Sequence, residues 1–297
     1  MTASAHLTPA WSALLREWFG EWELVEDMSW GLQGIHVLRI ETGSGPAVVK
    51  ASETGHHIQR EARAHRQMTG PLMALEPART PRLLHADPRA GILATAWLPG
   101  RLVEGSPHAR SPEVFRQAGE LLALVHVPRE QTASYDPAAL HKAGDFLERA
   151  GGLAPACQLA AVGRLLDAHR TEQRWLCATH GDYQPRNWIV DGGAPASGPG
   201  LVSVIDWGRA GYRPWATDLV RLEHQCFQDA HDGARLRAAF YAGYGRDPAR
   251  TREAAGTWLL DNVLQALGTM VWAHDVGDAA FEEEGRRMLG RVVDWFA

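Results

Sequence analysis

The chain is most informative at His180-Gly181-Asp182-Tyr183-Gln184-Pro185-Arg186-Asn187, which is followed by Ile205-Asp206-Trp207-Gly208. Short β-type apolar runs stand on both sides of these motifs, so we expect the motifs in turns at strand ends. A match of four specified residues in an eight-residue window arises by chance on the order of once per thousand sequences. Asn187 adds weight because the chain has only two asparagines.

The composition excludes several classes of protein. With 297 residues and 45% apolar residues, the chain is long enough to bury one large core or two modest ones. Thirty Lys and Arg against 35 Asp and Glu give a net charge of −5, so no basic field attracts nucleic acid or an anionic membrane. We therefore expect no nucleic-acid partner.

The cysteines and the apolar runs indicate the compartment. Three cysteines without Cys-x-x-Cys spacing are typical of a reducing cytoplasm, where we expect them as small buried side chains. No apolar run reaches the length of a membrane span, and the N-terminal segment lacks a signal-peptide core. We predict a cytoplasmic protein with no membrane partner, as a monomer or homodimer.

The order of the predicted elements indicates an α+β protein with two lobes. An amphipathic helix at residues 9–20 precedes five predicted strands at 22–28, 35–42, 47–51, 82–86 and 91–97, with a helix at 56–68 inserted after the third. Long helical periods follow at 112–127, 138–150, 155–171, 216–230, 234–243, 249–274 and 278–295. The predicted lobes are 1–97, which is β-rich, and 98–297, which is mainly α-helical, with a helical insertion at about 136–171 and C-terminal helices from about 216.

Several common enzyme motifs are missing. Neither lysine, Lys50 or Lys142, stands in a Gly-Lys-Ser/Thr phosphate loop. The chain also lacks the motifs of serine hydrolases (G-x-S-x-G), zinc proteases (H-E-x-x-H) and dinucleotide enzymes (G-x-G-x-x-G). The grouped histidines His56, His57 and His65 are interpreted as surface residues of a helix rather than a metal site.

The two motifs, H-G-D-x-x-x-x-N and I-D-x-G, resemble the catalytic and metal-binding motifs of aminoglycoside phosphotransferases and related antibiotic kinases. The second motif continues to Asp218-Leu219, which is similar to the closing segment of that family. The resemblance implies a bilobal protein-kinase-like fold and transfer of a phosphoryl group from ATP with Mg²⁺, with GTP as the alternative donor. It assigns Asp182 to the acceptor hydroxyl and assigns Asn187 and Asp206 to the metal, in agreement with the oxygen ligands that Mg²⁺ prefers.

The same resemblance assigns the nucleotide contacts of the first lobe. Lys50 ends a predicted strand where kinases place the phosphate-contacting lysine, and a compact ammonium suits that position in a chain that otherwise uses arginine. Glu61 shares the inward stripe of the following helix with Ile58 and Ala62, and an inward carboxylate needs a cation. We therefore expect a Lys50–Glu61 pair, with Glu53 as the competing partner.

The adenine site is also expected from the resemblance. The stretch 91–100 is similar to the kinase hinge, where the Ala96 carbonyl and the Leu98 N–H would face the base. Three aliphatic side chains would enclose the ring: Val48, Ile189 and Ile205. The turn at residues 29–34 would cover the phosphates.

The acceptor is expected to be cationic. From residue 201 onward the sequence has 14 Asp and Glu, 11 Arg and no Lys, and such an excess of acidic residues suits a basic substrate. The candidate carboxylates are Glu223, Asp229, Asp261, Asp275 and Asp278, of which Glu223, Asp261 and Asp275 are favoured. Trp215, Trp258 and Trp272 would stack on a ring or fill the core.

The sequence thus predicts an O-phosphotransferase that acts on a basic antibiotic, an aminoglycoside or a tuberactinomycin-type peptide, and confers resistance. The alternative acceptor within the enzyme class is a small metabolite such as choline, homoserine or a sugar. The alternative in another class is a pseudokinase that binds nucleotide without turnover, and the intact Lys50, Asp182, Asn187 and Asp206 disfavour it.

Overall fold

The structure is a computed structural model that describes residues 7–29, 34–191, 200–251 and 254–297. Its strands are β1 (Trp22–Asp27), β2 (Ile35–Thr42), β3 (Ala47–Ser52), β4 (Leu83–Asp87), β5 (Ile92–Ala96), β6 (Arg101–Leu102), β7 (Pro128–Thr132), β8 (Arg174–Thr179), β9 (Trp188–Val190), β10 (Val202–Val204) and β11 (Gly211–Arg213). Its α-helices are α1 (Pro9–Phe19), α2 (His56–Gln67), α3 (Gly70–Met73), α4 (Pro112–Val125), α5 (Tyr135–Arg149), α6 (Ala156–Asp167), α7 (Val220–Gln225), α8 (Gly233–Tyr244), α9 (Ala255–Val276) and α10 (Ala279–Phe296).

Two compact units make up the chain. The first contains residues 1–125 and 180–211, and the second contains 126–179 and 212–297. This division differs from the lobe boundary expected at residues 97 and 98, which stays a prediction.

The first unit is built around a five-stranded antiparallel sheet with the order β1-β2-β3-β5-β4. Because side chains alternate along a strand, Val49 of β3 points to the apolar core that contains Trp11 and Leu15 of α1. Its neighbour Lys50 then points to the opposite face, where Ile58 of α2 packs on the sheet. The period of two residues thus brings Lys50 to the face that α2 covers.

A small antiparallel sheet of the first unit, in the order β10-β9-β6, holds the two sequence motifs. Trp188 pairs with Val204, so the residue before β9 and the residues after β10 come together. The Ile205 N–H donates to the Asn187 carbonyl at 3.0 Å. This hairpin is the reason that two motifs far apart in the sequence form one site.

The second unit is mainly helical. Its core joins α5, α6, α9 and α10, with Leu267 and Met270 of α9 among its fully buried members. A Cβ added at Gly285 of α10 would lie 2.6 Å from the Met270 backbone, so this close approach of α10 to α9 requires glycine. No helix within the described residues is long and apolar enough to pass through a membrane.

The α+β prediction is confirmed, while several element boundaries were wrong. The helix predicted from residue 138 begins at Tyr135, because Pro137 lies in the first turn, where its missing N–H costs nothing. The helix predicted at 216–230 is a 3₁₀ turn, Trp215–Leu219, followed by the short α7. The strands β6 and β7 were not predicted, because both are short and largely exposed and so lack an apolar pattern.

Two expectations about individual side chains were also wrong. Cys157 is exposed on α6 rather than buried and Cys226 is half-buried, whereas Cys177 is buried as expected. His65 of α2 was expected on the surface, yet its side chain is only 1% exposed. In the turn expected over the phosphates, residues 30–33 lie outside the described part of the chain.

Candidate active site

Lys50 lies between two carboxylates of the first unit. Its Nζ donates to Glu61 Oε1 at 2.8 Å and Oε2 at 3.0 Å, and to Asp206 Oδ1 at 2.8 Å. Glu61 comes from α2 and Asp206 from the segment after β10, 156 residues away from Lys50 along the chain. The structure therefore brings three of the residues expected in the site into direct contact.

The charges of this group depend on one another. Burial would lower the pKa of Lys50, but the Asp206 and Glu61 carboxylates outweigh it and raise that pKa above the ordinary lysine value. The loss of water around its carboxylate would raise the pKa of Asp206, but Lys50 holds it well below the usual range. Burial raises the pKa of Glu61, and Lys50 offsets only part of that effect. Two carboxylates face one ammonium, so the group retains an excess of negative charge.

Asp206 and Asn187 fit a magnesium ion by their chemistry. Asp206 adopts a left-handed backbone with φ of 64°, which is uncommon outside glycine, and its side chain is 48% exposed. Asn187 uses its amide nitrogen to donate to Asp182, so its amide oxygen is the atom that can bind a cation. Mg²⁺ takes few protein oxygens and keeps several waters or phosphate oxygens, so one carboxylate and one amide suffice.

Asp182 is buried at the centre of the loop before β9, with an exposed fraction of 3%. Its Oδ1 accepts from Gln184 Nε2 at 2.5 Å. Its Oδ2 accepts from Arg186 at 2.6 Å and from Asn187 Nδ2 at 3.2 Å. The roles of Gln184 and Arg186 were missed in the sequence, although both stand inside the motif and Arg186 has the i+4 spacing of an ion pair.

His180 and aromatic packing hold the loop that carries Asp182 in place. His180 Nε2 is 2.9 Å from the Ile205 carbonyl, and its Nδ1 accepts from the Asp182 N–H at 3.3 Å. These partners make Nε2 the protonated nitrogen. Trp188 and Trp207 follow the two candidate metal ligands in sequence and are fully buried, so they anchor the segments that carry Asn187 and Asp206.

The expected adenine contacts also lie in the first unit. Val48, Ile189 and Ile205 are half-buried, while the neighbouring Val49, Val190 and Val204 are buried. A Cβ at Gly100 would lie 2.5 Å from the Val190 carbonyl oxygen and 2.6 Å from Ile189, so glycine lets the chain after β5 approach β9. Ala96 ends β5, and Leu98 follows it in irregular structure. The assignment of these residues to the base stays a prediction.

Two of the three histidines of α2, His57 and His65, lie close to the Lys50 group. His57 Nδ1 is 3.2 Å from the Gly208 carbonyl, which ties α2 to the segment after Asp206. His65 Nε2 is 4.0 Å from Glu61 Oε1, and neither ring nitrogen has a hydrogen-bond partner within the described structure. Burial, together with Lys50, lowers the pKa of His65 to about 4, so the ring stays neutral and leaves Glu61 to Lys50.

The favoured acceptor carboxylates lie in three different environments of the second unit. Glu223 borders a cavity of about 650 Å³, where Arg237 Nε donates to it at 3.0 Å and Tyr241 at 2.7 Å. Asp275 is half-exposed and pairs with Arg149 at 2.5 Å.

Asp261 is buried and accepts hydrogen bonds from the hydroxyls of Tyr135 at 2.6 Å and Thr217 at 2.9 Å. Burial raises its pKa to about 7, and these hydrogen bonds offset only part of the effect.

The other candidate residues for acceptor binding make contacts within the protein itself. Asp229 and Asp278 accept backbone N–H groups of a turn and of the start of α10. Trp215 and Trp258 are buried, while Trp272 is 42% exposed. Trp258 and Trp295 line the same cavity as Glu223.

The family model described as the phosphotransferase enzyme family, APH, matches residues 34–254, which is more than half of the chain. The chain belongs to this family. The match spans Lys50, Glu61, both motifs and Glu223. No curated protein matches the sequence.

Solved structures show the same fold. A thermostable variant of aminoglycoside phosphotransferase APH(4)-Ia with ADP and hygromycin B aligns with a TM-score of 0.68 at 12% identity, over 95% of this chain and 97% of that one. Macrolide 2'-phosphotransferase MphH from Brachybacterium faecium aligns with a TM-score of 0.60 at 19% identity, over 95% and 98%. The gentamicin complex of APH(2")-IIa aligns with a TM-score of 0.63 at 13% identity, over 98% and 97%.

These findings confirm the predicted family, the kinase-like fold and the enzyme class. The chain is a phosphotransferase with an alcohol group as acceptor. The roles of its individual residues stay predictions, to which the geometry above gives atomic contacts.

Replacement of Lys50 by arginine tests whether the shape of the cation matters. Lys50→Arg keeps the charge, but a planar guanidinium does not fit the space between Glu61 and Asp206 that one nitrogen fills. We expect kcat/KM for the nucleotide to fall about 100-fold with a small change in melting temperature. The matched control is Lys142→Arg, since the only other lysine is exposed. Equal activity of the two variants would contradict the assignment.

The raised pKa of Asp261 predicts a pH-dependent stability. Between about pH 4 and pH 7 the unfolded chain has lost the Asp261 proton while the folded protein keeps it, so the free energy of unfolding decreases as pH rises and levels off above 7. From pH 5 to pH 8 this group alone should remove about 2–3 kcal/mol. Asp261→Asn does not titrate and should lack this decrease in urea unfolding. The half-exposed Asp275→Asn should retain it, and identical curves for Asp261→Asn and wild type would contradict the prediction.

Proposed function

We propose that this protein transfers the γ-phosphate of ATP to a hydroxyl of a basic antibiotic, an aminoglycoside or a tuberactinomycin-type peptide, and so confers resistance. The observation that carries the proposal is the contact of Lys50 with both Glu61 and Asp206, in the same compact unit as Asp182 and Asn187. The named structural neighbours support the antibiotic class, because hygromycin B and gentamicin appear in their complexes.

Each of these residues has a separate role in the proposed phosphoryl transfer. Lys50 would contact the nucleotide phosphates while Glu61 holds its ammonium in place. Asp206 and Asn187 would hold Mg²⁺, which when bound supplies positive charge to the phosphates. The hinge at Ala96 and Leu98 would bind the base between Val48, Ile189 and Ile205.

Asp182 acts at the acceptor. It would orient the acceptor hydroxyl and receive its proton late in a loose transition state. The acceptor oxygen forms a bond to the γ-phosphorus as the bond to the bridging oxygen of ADP breaks. The tight packing of Asp182 on its loop keeps the carboxylate in one orientation.

A cationic acceptor is supported by the charge of the second unit. The carboxylate of Glu223 borders the cavity that Trp258 and Trp295 line, and its pKa is raised by burial despite Tyr241 and Arg237. Arg237 and Arg250 line the same cavity, so an ammonium group would share the Glu223 carboxylate with Arg237, while the indole faces would attract the cation as well. The proposal includes Asp261 and Asp275 as further acceptor contacts.

The experiment is an acceptor screen with purified protein, ATP and Mg²⁺. Mass spectrometry should show one phosphate added to a basic antibiotic. The panel includes aminoglycosides, tuberactinomycin-type peptides, macrolides, choline, homoserine and sugars. Asp182→Asn should lower kcat by at least 1,000-fold, on the order of the loss of a base and its charge, with ADP affinity little changed. Preferred phosphorylation of a metabolite would move the function to a metabolite kinase, and nucleotide binding without any product would indicate a pseudokinase.

Salt dependence tests the acidic acceptor site. If carboxylates bind a polycation, the acceptor KM should rise about tenfold between 50 mM and 500 mM salt, while the nucleotide KM should change less. Glu223→Gln should raise the acceptor KM and leave kcat nearly unchanged. The control is Glu120→Gln, which removes an exposed carboxylate of α4 in the first unit. An acceptor KM that does not respond to salt would contradict this part of the proposal.

A further inference from the structure

Asp182 is held as an ion pair in this structure. Arg186 donates to Oδ2 at 2.6 Å, while Gln184 and Asn187 occupy further positions on the carboxylate. A guanidinium in contact with a carboxylate oxygen takes up the lone pairs through which that oxygen would accept a hydrogen bond from a hydroxyl. A carboxylate occupied in this way is a poor partner for an acceptor hydroxyl.

Of these three donors, Arg186 is the one that can leave. The side chains of Gln184 and Asn187 belong to residues that are each 4% exposed, whereas the Arg186 side chain is 31% exposed. Asn187 is also fixed by a second hydrogen bond, from its Nδ2 to the Asp182 carbonyl at 2.8 Å. A long side chain with access to solvent can exchange its partner without disturbing the buried part of the loop.

We propose that Arg186 is a positioning residue that pairs with Asp182 in the free enzyme and moves its guanidinium to the γ-phosphate when the nucleotide binds. This inference rests on the proposed function of Asp182 as the group that receives the acceptor proton. The γ-phosphate carries more negative charge than a carboxylate and offers several acceptor oxygens, so it competes for a guanidinium. Binding of the phosphate donor then frees Asp182 for the acceptor hydroxyl.

The movement of Arg186 from Asp182 to the γ-phosphate places a positive charge where negative charge develops during the reaction. As the acceptor oxygen bonds to the γ-phosphorus, the bond to the ADP oxygen breaks and the hydroxyl proton passes to Asp182. Arg186 then lies on the transferring group, where negative charge is shared among the phosphoryl oxygens. In the free enzyme its pairing with Asp182 keeps the base inactive until a nucleotide with a γ-phosphate is present.

The test compares wild type with Arg186→Gln, Arg186→Lys and the control Arg116→Gln. Arg116 is an arginine of the same unit that pairs with Glu113 and Glu120 on α4. Arg186→Gln should lower kcat about 100-fold and leave the acceptor KM within about twofold, because the lost contact is one made to the transferring group. Arg186→Lys keeps a cation and should restore kcat at least tenfold relative to Arg186→Gln.

A binding measurement makes the test independent of turnover. In calorimetry with Mg²⁺, wild type should bind AMP-PNP more tightly than ADP, and this ratio should fall at least fivefold in Arg186→Gln but not in Arg116→Gln. An unchanged ratio in Arg186→Gln would overturn the inference, even if kcat fell. Absence of phosphorylated product from wild type with every acceptor would instead refute the proposed function.

Discussion

One ammonium shared by two carboxylates is the interaction on which the arrangement of this site depends. Lys50 reaches Glu61 and Asp206 together only because β3 turns it towards α2 while β10 ends beside it. Glu61 is almost fully buried, so it tolerates ionisation only with Lys50 in contact. Removing one member of such a buried pair costs about 3–5 kcal/mol, because the remaining charge is left without compensation. The ion pairs of the site therefore also stabilise the fold of the first unit.

The antiparallel hairpin of β9 and β10 is the second constraint. It sets Asn187 beside Ile205, and the buried Trp188 and Trp207 hold both strand ends to the core of the first unit. His180 completes this frame by joining the start of the loop to the residue before Asp206. Polar groups that need a defined position are thus carried on backbone that is fixed by sheet pairing and aromatic packing.

The features that could be predicted from the sequence are those that a short local pattern of residues encodes. Lys50 and Glu61 could be paired because the strand period and the helix period each put one charge on an inward face. The motif itself predicted the grouping of Asp182 with Asn187. The left-handed backbone of Asp206 and the burial of His65 depend on contacts from distant elements, and no local pattern encodes them. The same holds for Glu223, since its partner Arg237 lies on another helix.

Because segments of the two units alternate along the chain, the first unit is completed only late in synthesis. The first unit needs residues 180–211, so it stays incomplete while the segment 126–179 of the second unit is being made. Lys50 and Asp206 are 156 residues apart, which at about 5–20 residues per second means about 8–30 s between their appearances. During that interval the nascent β-sheet carries Lys50 with Glu61 as its only ionic partner of the finished site. Until residue 206 is made, the first unit therefore lacks the second carboxylate that holds Lys50 in the finished site.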